Sequence, residues 1–498
     1  MNWSNYQKHI FEKALNTNFN IAVSATAGSG KTSTIVETSR RLSLKYPYKS
    51  ILFSSFGKDI VNELKTKIPD TIDCFTIHSL GMRALMNHFK TNLRVDDFKT
   101  FKFADSILKD IKFKGNKKDV YKFTLSDIIN LSRLTLTEEK EEAIEELCDT
   151  YDISITNDEI KHSLELLTNL KKYNKKLSKT NNLIDFTDMV NLPATDDKIK
   201  LKQYDIVLLD EAQDCNKSQH LFIEKLLKPS GRLISVGDKK QAIYSFAGSD
   251  AKSFELFENR INTITMPLSI CYRCTKNIVI NAQQINEEIQ FDESQEDGLE
   301  PRYGTFNEIK INDIVVCRNT KPLIFLYFKL LENNQKSFIR GREIEQGLLK
   351  IYLKIKDTDK YSARVIFEEM LLKLHQQLEF RGVKKPKDHL KYRNLKEKIT
   401  ILNILLRKCK YVFEVESKIK ELFENKINSI QLMTSHKSKG LENDRVFFIE
   451  QFNGKKLIPS KYATTDQEKE QENNLLFVSL TRAKKELIYL KLNDEDEE

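Results

Sequence analysis

A chain of 498 residues, 40% apolar and 31% charged, is too long for one hydrophobic core, and a soft prior of roughly 150 residues per domain gives two to four domains. No apolar run is long enough to span a bilayer and no secretory leader is recognisable, so a protein that stays in the cytosol where it is made, with no membrane partner, is expected. The net charge of +9, from 81 Lys and Arg against 72 Asp and Glu, mildly favours a polyanionic partner such as nucleic acid, although a solvated lysine surface is the commoner source of such a charge.

In chain order, the first predicted element is the strand-like run Asn20–Ser24. It delivers Ala25, Thr26, Ala27, Gly28, Ser29, Gly30, Lys31 and Thr32 into a helical pattern beginning near Ser33. A strand feeding a Gly-rich loop into a helix N-terminus gathers backbone N–H groups around a triphosphate, with Lys31 reaching the terminal phosphates and the Thr32 hydroxyl available to Mg²⁺. Short apolar runs recur at Ser50–Phe53, Tyr204–Leu209, Arg232–Val236, Thr263–Leu268, Asp313–Cys317, Ser429–Met433, Arg445–Ile449 and Glu486–Leu490. Polar loops and helical patterns follow most of them, which predicts parallel α/β layers in two domains that divide near residue 258.

Two stretches differ. Residues 96–181 carry Lys, Glu, Leu and Ile at helical spacing with almost no glycine and read as a helical insertion; residues 345–424 read as a second. The second holds the basic run Lys384, Lys385 and Lys387, then His389, Lys391, Arg393 and Lys396, whose preferred reading is a solvated helix face. Residues 493–498 read as an acidic, frayed tail.

The run Tyr204–Leu209 ends in the carboxylate pair Asp210 and Glu211. Asp210 can hold Mg²⁺ through water, and Glu211 can orient and deprotonate an attacking water. The seven cysteines are scattered and odd in number, which argues against a secreted disulfide framework. Cys271 and Cys274 have C-x-x-C spacing, but no second ligand pair follows, and they read as ordinary thiols.

Ordered motifs extend this reading along the chain. They are Gln7, the loop Ala25–Thr32, Phe53–Lys58, Thr76–Ser79, Ile184–Asp188, the box Asp210–Asp214, Val236–Gly248, Tyr272 and Arg273, Cys317–Asn319, Thr434–Glu442 and Leu476–Ala483. With these the chain resembles the UvrD/Rep/PcrA family of superfamily 1 DNA helicases. The resemblance implies two RecA-like parallel-sheet domains in tandem, each with a mainly helical insertion. The first domain would comprise residues 1–95 and 182–258 and carry insertion 96–181. The second would comprise 259–344 and 425–492 and carry a reduced insertion 345–424.

It also implies roles. ATP would lie where the two domains meet, with Lys31, Asp210, Glu211, Gln241, Arg273 and Arg482 catalytic. Gln7 would read adenine, Tyr272 would stack on it, and Glu442 would contact ribose; Ser33 stands where several relatives place an arginine. Phe56, Tyr244 and Phe246 would stack on unpaired bases, while His78, Arg318, Thr434 and His436 would make polar contacts to nucleic acid. The segment Gln471–Leu475 departs from the family's E-E-R-R-L pattern.

The expected activity is an ATP-dependent, Mg²⁺-requiring motor that translocates on single-stranded DNA and unwinds duplex, engaging single strands and single/double-strand junctions as a monomer, with 3′→5′ polarity implied by resemblance alone. A replication, repair or defence protein is the expected partner for loading. Two rivals stand beside this reading: a motor or NTP-sensing subunit of a larger complex, and a nucleic-acid-binding scaffold with weak ATPase.

Overall fold

The computed structural model describes residues 3–493 apart from 56, 110, 112–116, 152, 154, 178–181, 244–247, 249–251 and 381–382. Phe56, Tyr244 and Phe246, expected as stacking platforms, lie outside the described residues, as does most of the acidic tail. The chain divides into two compact units, Met1–Ser269 and Ile270–Glu498. Among the described residues no helix is long and apolar enough to cross a membrane.

The strands in chain order are β1 Asn20–Ala25, β2 Ile51–Ser54, β3 Asp73–Phe75, β4 Arg94–Val95, β5 Leu183–Ile184, β6 Tyr204–Leu209, β7 Leu227–Gly237 and β8 Thr263–Leu268 in the first unit. The second has β9 Ile270–Cys271, β10 Gln290–Phe291, β11 Arg302–Gly304, β12 Ile314–Cys317, β13 Ser337–Arg340, β14 Ile430–Thr434, β15 Asn443–Phe452, β16 Lys455–Lys456 and β17 Ala483–Leu492.

In the first unit the sheet runs β3-β2-β6-β7-β1-β8, with every pairing parallel. Side chains alternate across a strand, so a parallel sheet covered on both faces must be apolar at every position. Ile21, Val23, Ile51, Phe53, Ile206, Leu208 and Ile234 join one buried cluster with Ile10 and Ile35 of the flanking helices. Their neighbours Ala22, Leu52, Val207, Leu209 and Leu233 join another with Phe222 and Phe254. Each such side chain, fully buried, contributes roughly 1.5–3 kcal/mol.

One expected boundary moves. The sequence places residues after 258 in the second domain, but β8 pairs with β1 from Asn20↔Thr263 to Ala25↔Leu268 and closes the first sheet, so the division falls after Ser269. The apolar run itself carries no sign of which sheet it completes; its partner strand decides.

Residues 96–181 form helices Lys99–Ile107, Lys117–Thr135, Glu141–Thr150 and Asn157–Asn174 around a separate core of Ala104, Leu125, Ile128, Ile144, Leu166 and Leu170. The incoming and outgoing segments pair as a small parallel ribbon, Arg94↔Leu183 and Val95↔Ile184. A buried charge cluster fixes the module to the sheet domain. Lys99 Nζ, fully buried, donates to Asp188 Oδ2 at 2.5 Å and to Asn174 Oδ1 at 2.6 Å, while Arg133 donates to Asp185 Oδ2 at 2.7 Å and Asp188 Oδ1 at 2.9 Å. Two cations meet two carboxylates, so no net charge is left in the interior.

The second unit's sheet runs β11-β17-β15-β12-β14-β13, parallel throughout, with β16 antiparallel on β15. Helices Arg342–Tyr352, Lys360–Phe380, Leu390–Lys408 and Val415–Phe423 occupy the region expected as a second insertion. Here, unlike 96–181, Leu348, Phe367, Leu402, Val415 and Ile419 share one core with the sheet residues Val315, Leu432, Phe447 and Ile488. The basic run Lys384–Lys387 sits in the turn before Leu390–Lys408 rather than on a helix, because Pro386 has no N–H to give one. His389 caps that helix, its Nδ1 accepting from Lys391 N at 3.2 Å.

Candidate functional site

Strand β1 ends where Thr26 is pinned to β8: its N–H donates to Leu268 O at 3.1 Å and its hydroxyl to Ser269 O at 2.9 Å. The loop then turns through Gly28 at φ 68° and Gly30 at φ 80°, in left-handed backbone that a side chain would strain. A Cβ at Gly30 would also crowd Gln7 Nε2 at 3.3 Å. Ser29 closes the turn, its hydroxyl donating to Thr26 O at 2.8 Å. Helix Lys31–Lys45 starts here with no side-chain cap, so the first-turn N–H groups point at the loop's hollow, an arrangement that suits an anion.

Strand β6 brings the acidic half. Thr32 Oγ1 donates to Asp210 Oδ2 at 3.0 Å, and Asp210 Oδ1 accepts from Glu211 N at 2.9 Å. Burial first, then the adjoining Glu211 charge, pushes the Asp210 carboxyl up to about 7 against the pull of Lys31 and the Thr32 hydroxyl. Glu211 has φ 55°, unusual for a residue with a Cβ and found where a side chain is held to a task. A hydroxyl and two carboxylates are the hard oxygen donors Mg²⁺ takes, and the excess of negative charge over Lys31 is what a divalent cation would offset.

Behind Glu211 runs a buried polar relay that the sequence reading did not single out. Gln213 Nε2 donates to Glu211 Oε2 at 2.5 Å, Gln213 Oε1 accepts from Asp238 N at 3.0 Å, and Asp238 Oδ2 accepts from Gln241 Nε2 at 2.8 Å. Gln241 is thus joined to Glu211 through two intermediates. Both intermediates lie inside recognised motifs, which was the available signal.

Gln7 is buried at the rim. It completes a capping box with Ser4 and donates from Nε2 to Thr34 Oγ1 at 3.0 Å, which fixes the amide's orientation. Ala25, Ala27 and Ser29 are buried, and Ser33 is exposed. His78 lies in the first turn of helix Ile77–Phe89, capped by Thr76, and meets the half-exposed Phe186 edge-on at 6.0 Å. Burial lowers the His78 pKa, so the ring is neutral near pH 7.

The second unit gathers its own expected residues. Arg273 Nε donates to Glu442 Oε2 at 2.5 Å and Arg273 NH1 to Thr481 O at 3.3 Å. Arg482 is 1% exposed; its guanidinium donates to Val478 O at 2.8 Å, Leu441 O at 3.1 Å and Thr481 Oγ1 at 3.1 Å. Both arginines therefore converge on Thr481, with Tyr272 exposed beside them.

Arg318 and Thr434 come together because β12 and β14 are neighbours in register, Cys317↔Thr434. Arg318 is gripped by Glu472, with NH2 to Oε1 at 2.8 Å and Nε to Oε2 at 3.2 Å. His436 stands close: burial, then the Arg318 charge, lowers its pKa to about 4. Glu472 was not foreseen as a partner, since it lies in the segment that departs from the family pattern.

Comparison with known proteins agrees with this layout. Residues 4–262 match the family model of the UvrD/REP helicase N-terminal domain, and residues 380–493 that of the UvrD-like helicase C-terminal domain. The chain is 23% identical over 519 residues to F-box DNA helicase 1 of Gallus gallus, covering 97% of this chain and 48% of that protein. It is 27% identical over 293 residues to the ATP-dependent DNA helicase PcrA of Staphylococcus epidermidis, covering 53% and 37%. For the ATP-dependent DNA helicase Rep of Buchnera aphidicola the identity is 26% over 264 residues, covering 49% and 37%. The chain thus spans less than half the length of these relatives.

Proposed function

The chain belongs to the UvrD/REP helicase family, and from that membership we propose that it is an ATP-dependent motor that moves 3′→5′ along single-stranded DNA and unwinds duplex. The observation that carries the reading is the Thr32–Asp210 hydrogen bond, which unites a phosphate-binding loop with a carboxylate pair in one pocket.

In this reading the first-turn N–H groups and Lys31 bind the phosphates of ATP. Thr32 and Asp210 hold Mg²⁺, which supplies charge neutralisation at the phosphates when bound. Glu211 orients the attacking water and takes its proton, kept in place by Gln213. Gln241 reports the γ-phosphate through Asp238 to the same relay. Arg273 leaves Glu442 to meet the negative charge of the transferring phosphoryl group. Arg482, too deeply bonded to swing freely, holds the hydroxyl of Thr481, whose carbonyl Arg273 uses. Tyr272 supplies an exposed face for adenine, and Glu442, once released, an acceptor for ribose. Arg318, Thr434, His436 and His78 track the nucleic acid.

The test is strand displacement on tailed DNA and RNA substrates of both polarities, with and without ATP. ATP-dependent displacement from a 3′ tail of DNA is expected. Displacement independent of ATP, or from 5′ tails alone, overturns the reading.

A further inference from the structure

We propose that Ser253 and His220 are positioning residues for the carboxylate of Glu211: together they fix the turn that carries it. The inference rests on the reading of Glu211 given above, and both residues lie outside the ordered motifs.

Glu211 enters the turn Ala212–Asp214 with φ 55°, and a residue with a Cβ stays in that left-handed backbone only where its surroundings over-determine it. One anchor precedes the turn, the Glu211 N–H donating to Asp210 Oδ1 at 2.9 Å. Two that follow come from the two ends of one stretch of chain. At its start, Asp238 N donates to Gln213 Oε1 at 3.0 Å; at its end, the Ser253 hydroxyl donates to Ala212 O at 3.2 Å. The same carbonyl accepts from Cys215 N at 3.3 Å, so both of its lone pairs are engaged.

Ser253 is fully buried and opens the short helix Ser253–Glu258. Two aromatic contacts seat that helix. Phe254 lies against the end of β7, so close that a Cβ on Gly237 would come within 2.7 Å of its ring and 2.8 Å of Gln213 Oε1. Phe257 stacks on the imidazole of His220, with centroids 4.1 Å apart and planes 28° from parallel. Ser253 and Phe257 are four residues apart and share a helix face, which is how one histidine reaches both.

His220 belongs to helix Lys217–Leu226, the element that follows the turn, and its Nε2 lies 2.8 Å from Ser253 Oγ. A serine hydroxyl has one hydrogen. With that hydrogen on Ala212 O, the oxygen accepts from His220 Nε2–H, and the ring, braced by Phe257, aims the hydroxyl at the carbonyl. The bonds run from His220 through Ser253 to Ala212 and end one residue from Glu211. With this anchor gone the turn is gripped on the Gln213 side alone, and the Glu211 carboxylate shifts from its place at the end of β6. A misplacement of about 1 Å in a reacting group costs about 100-fold in rate, so a partial release is expected to cost on the order of tenfold.

His220→Phe keeps a flat ring against Phe257 and removes the N–H, while His220→Gln supplies an N–H again. Ser253→Ala removes the hydroxyl itself. DNA-stimulated ATP hydrolysis, the KM for ATP and the thermal midpoint are measured for each in the full chain. His220→Phe and Ser253→Ala are expected to lower kcat on the order of tenfold with KM and midpoint unchanged, and His220→Gln to keep most of the wild-type rate. Ser253→Ala added to Glu211→Gln is expected to cost nothing further, because both changes act on one group. A loss that appears in the midpoint rather than in kcat, or a full further loss in the double variant, overturns the proposal. Should Ser253→Ala not fold, the two His220 variants decide by the same criteria. Wild-type turnover in Glu211→Gln overturns the reading of Glu211, and the proposal falls with it; impaired Glu211→Gln beside unimpaired Ser253→Ala and His220→Phe overturns the proposal alone.

Discussion

Thr32 and Asp210 stand 178 positions apart and share a hydrogen bond of 3.0 Å. The bond sets the loop against the end of β6, so Thr32 and Asp210 are positioned by two adjoining rigid elements.

Glu211→Gln keeps the shape of the side chain and its contact with Gln213 while removing the carboxylate proposed as the base. DNA-stimulated hydrolysis is expected to fall by about 10²–10⁴-fold, with nucleotide affinity changed little. Steady-state rates and fluorescent-nucleotide titration check both halves, and wild-type turnover would remove Glu211 from the chemistry.

Asp188 is wholly buried between Lys99 and Arg133. Asp188→Ala leaves uncompensated positive charge in the interior, and a loss of about 3–5 kcal/mol is expected. Denaturant unfolding measures it. A change below about 1 kcal/mol would mean that water reaches the cluster and screens it.

Arg318 is held by Glu472. Arg318→Ala should weaken single-strand binding and reduce the slope of log affinity against log salt by about one. Glu472→Gln should do the reverse, strengthening binding several-fold by releasing the arginine. Parallel titrations over a salt series test this; identical slopes in all three proteins would place Arg318 off the phosphate track.

Asp205 accepts from Ser50 N at 2.8 Å, Ser50 Oγ at 2.7 Å and Lys228 Nζ at 2.7 Å where β2 and β6 begin. Burial alone would raise its pKa, but Lys228 and Ser50 hold it at about 2. A depressed folded pKa contributes stability that is complete above about pH 4 and lost as the pH falls through about 2. Asp205→Asn should therefore lower Tm at neutral pH and flatten the acid limb between those values. An acid limb as steep as that of the wild type would show that the ion pair is screened by solvent.

The long buried strands were legible because covering both faces of a parallel sheet leaves an uninterrupted apolar run, as at Tyr204–Leu209. Strands such as Asp73–Phe75 and Arg302–Gly304 were not: three residues carry no period, and a neighbour's hydrogen bonds make them strands. The turn at Gly28 and Gly30 was readable from its motif, since the left-handed backbone there favours glycine. The Gln213–Asp238 bond and the grip of Glu472 on Arg318 were not, because they join positions far apart in sequence. Gln7 illustrates the difference: its motif position was evident, while its bond to Thr34 required the fold.

The ribbon of β4 and β5 leaves the two ends of residues 96–181 side by side, about 5 Å apart. An insert with adjacent ends is a cassette: it can be lengthened, shortened or exchanged without disturbing the sheet into which it is spliced. What constrains a graft is electrical rather than geometric. Asp185 and Asp188 stay behind in the recipient, so any replacement must arrive with two cations at the places of Lys99 and Arg133. A helical bundle of the right length that lacked them would strand two carboxylates at its own seam.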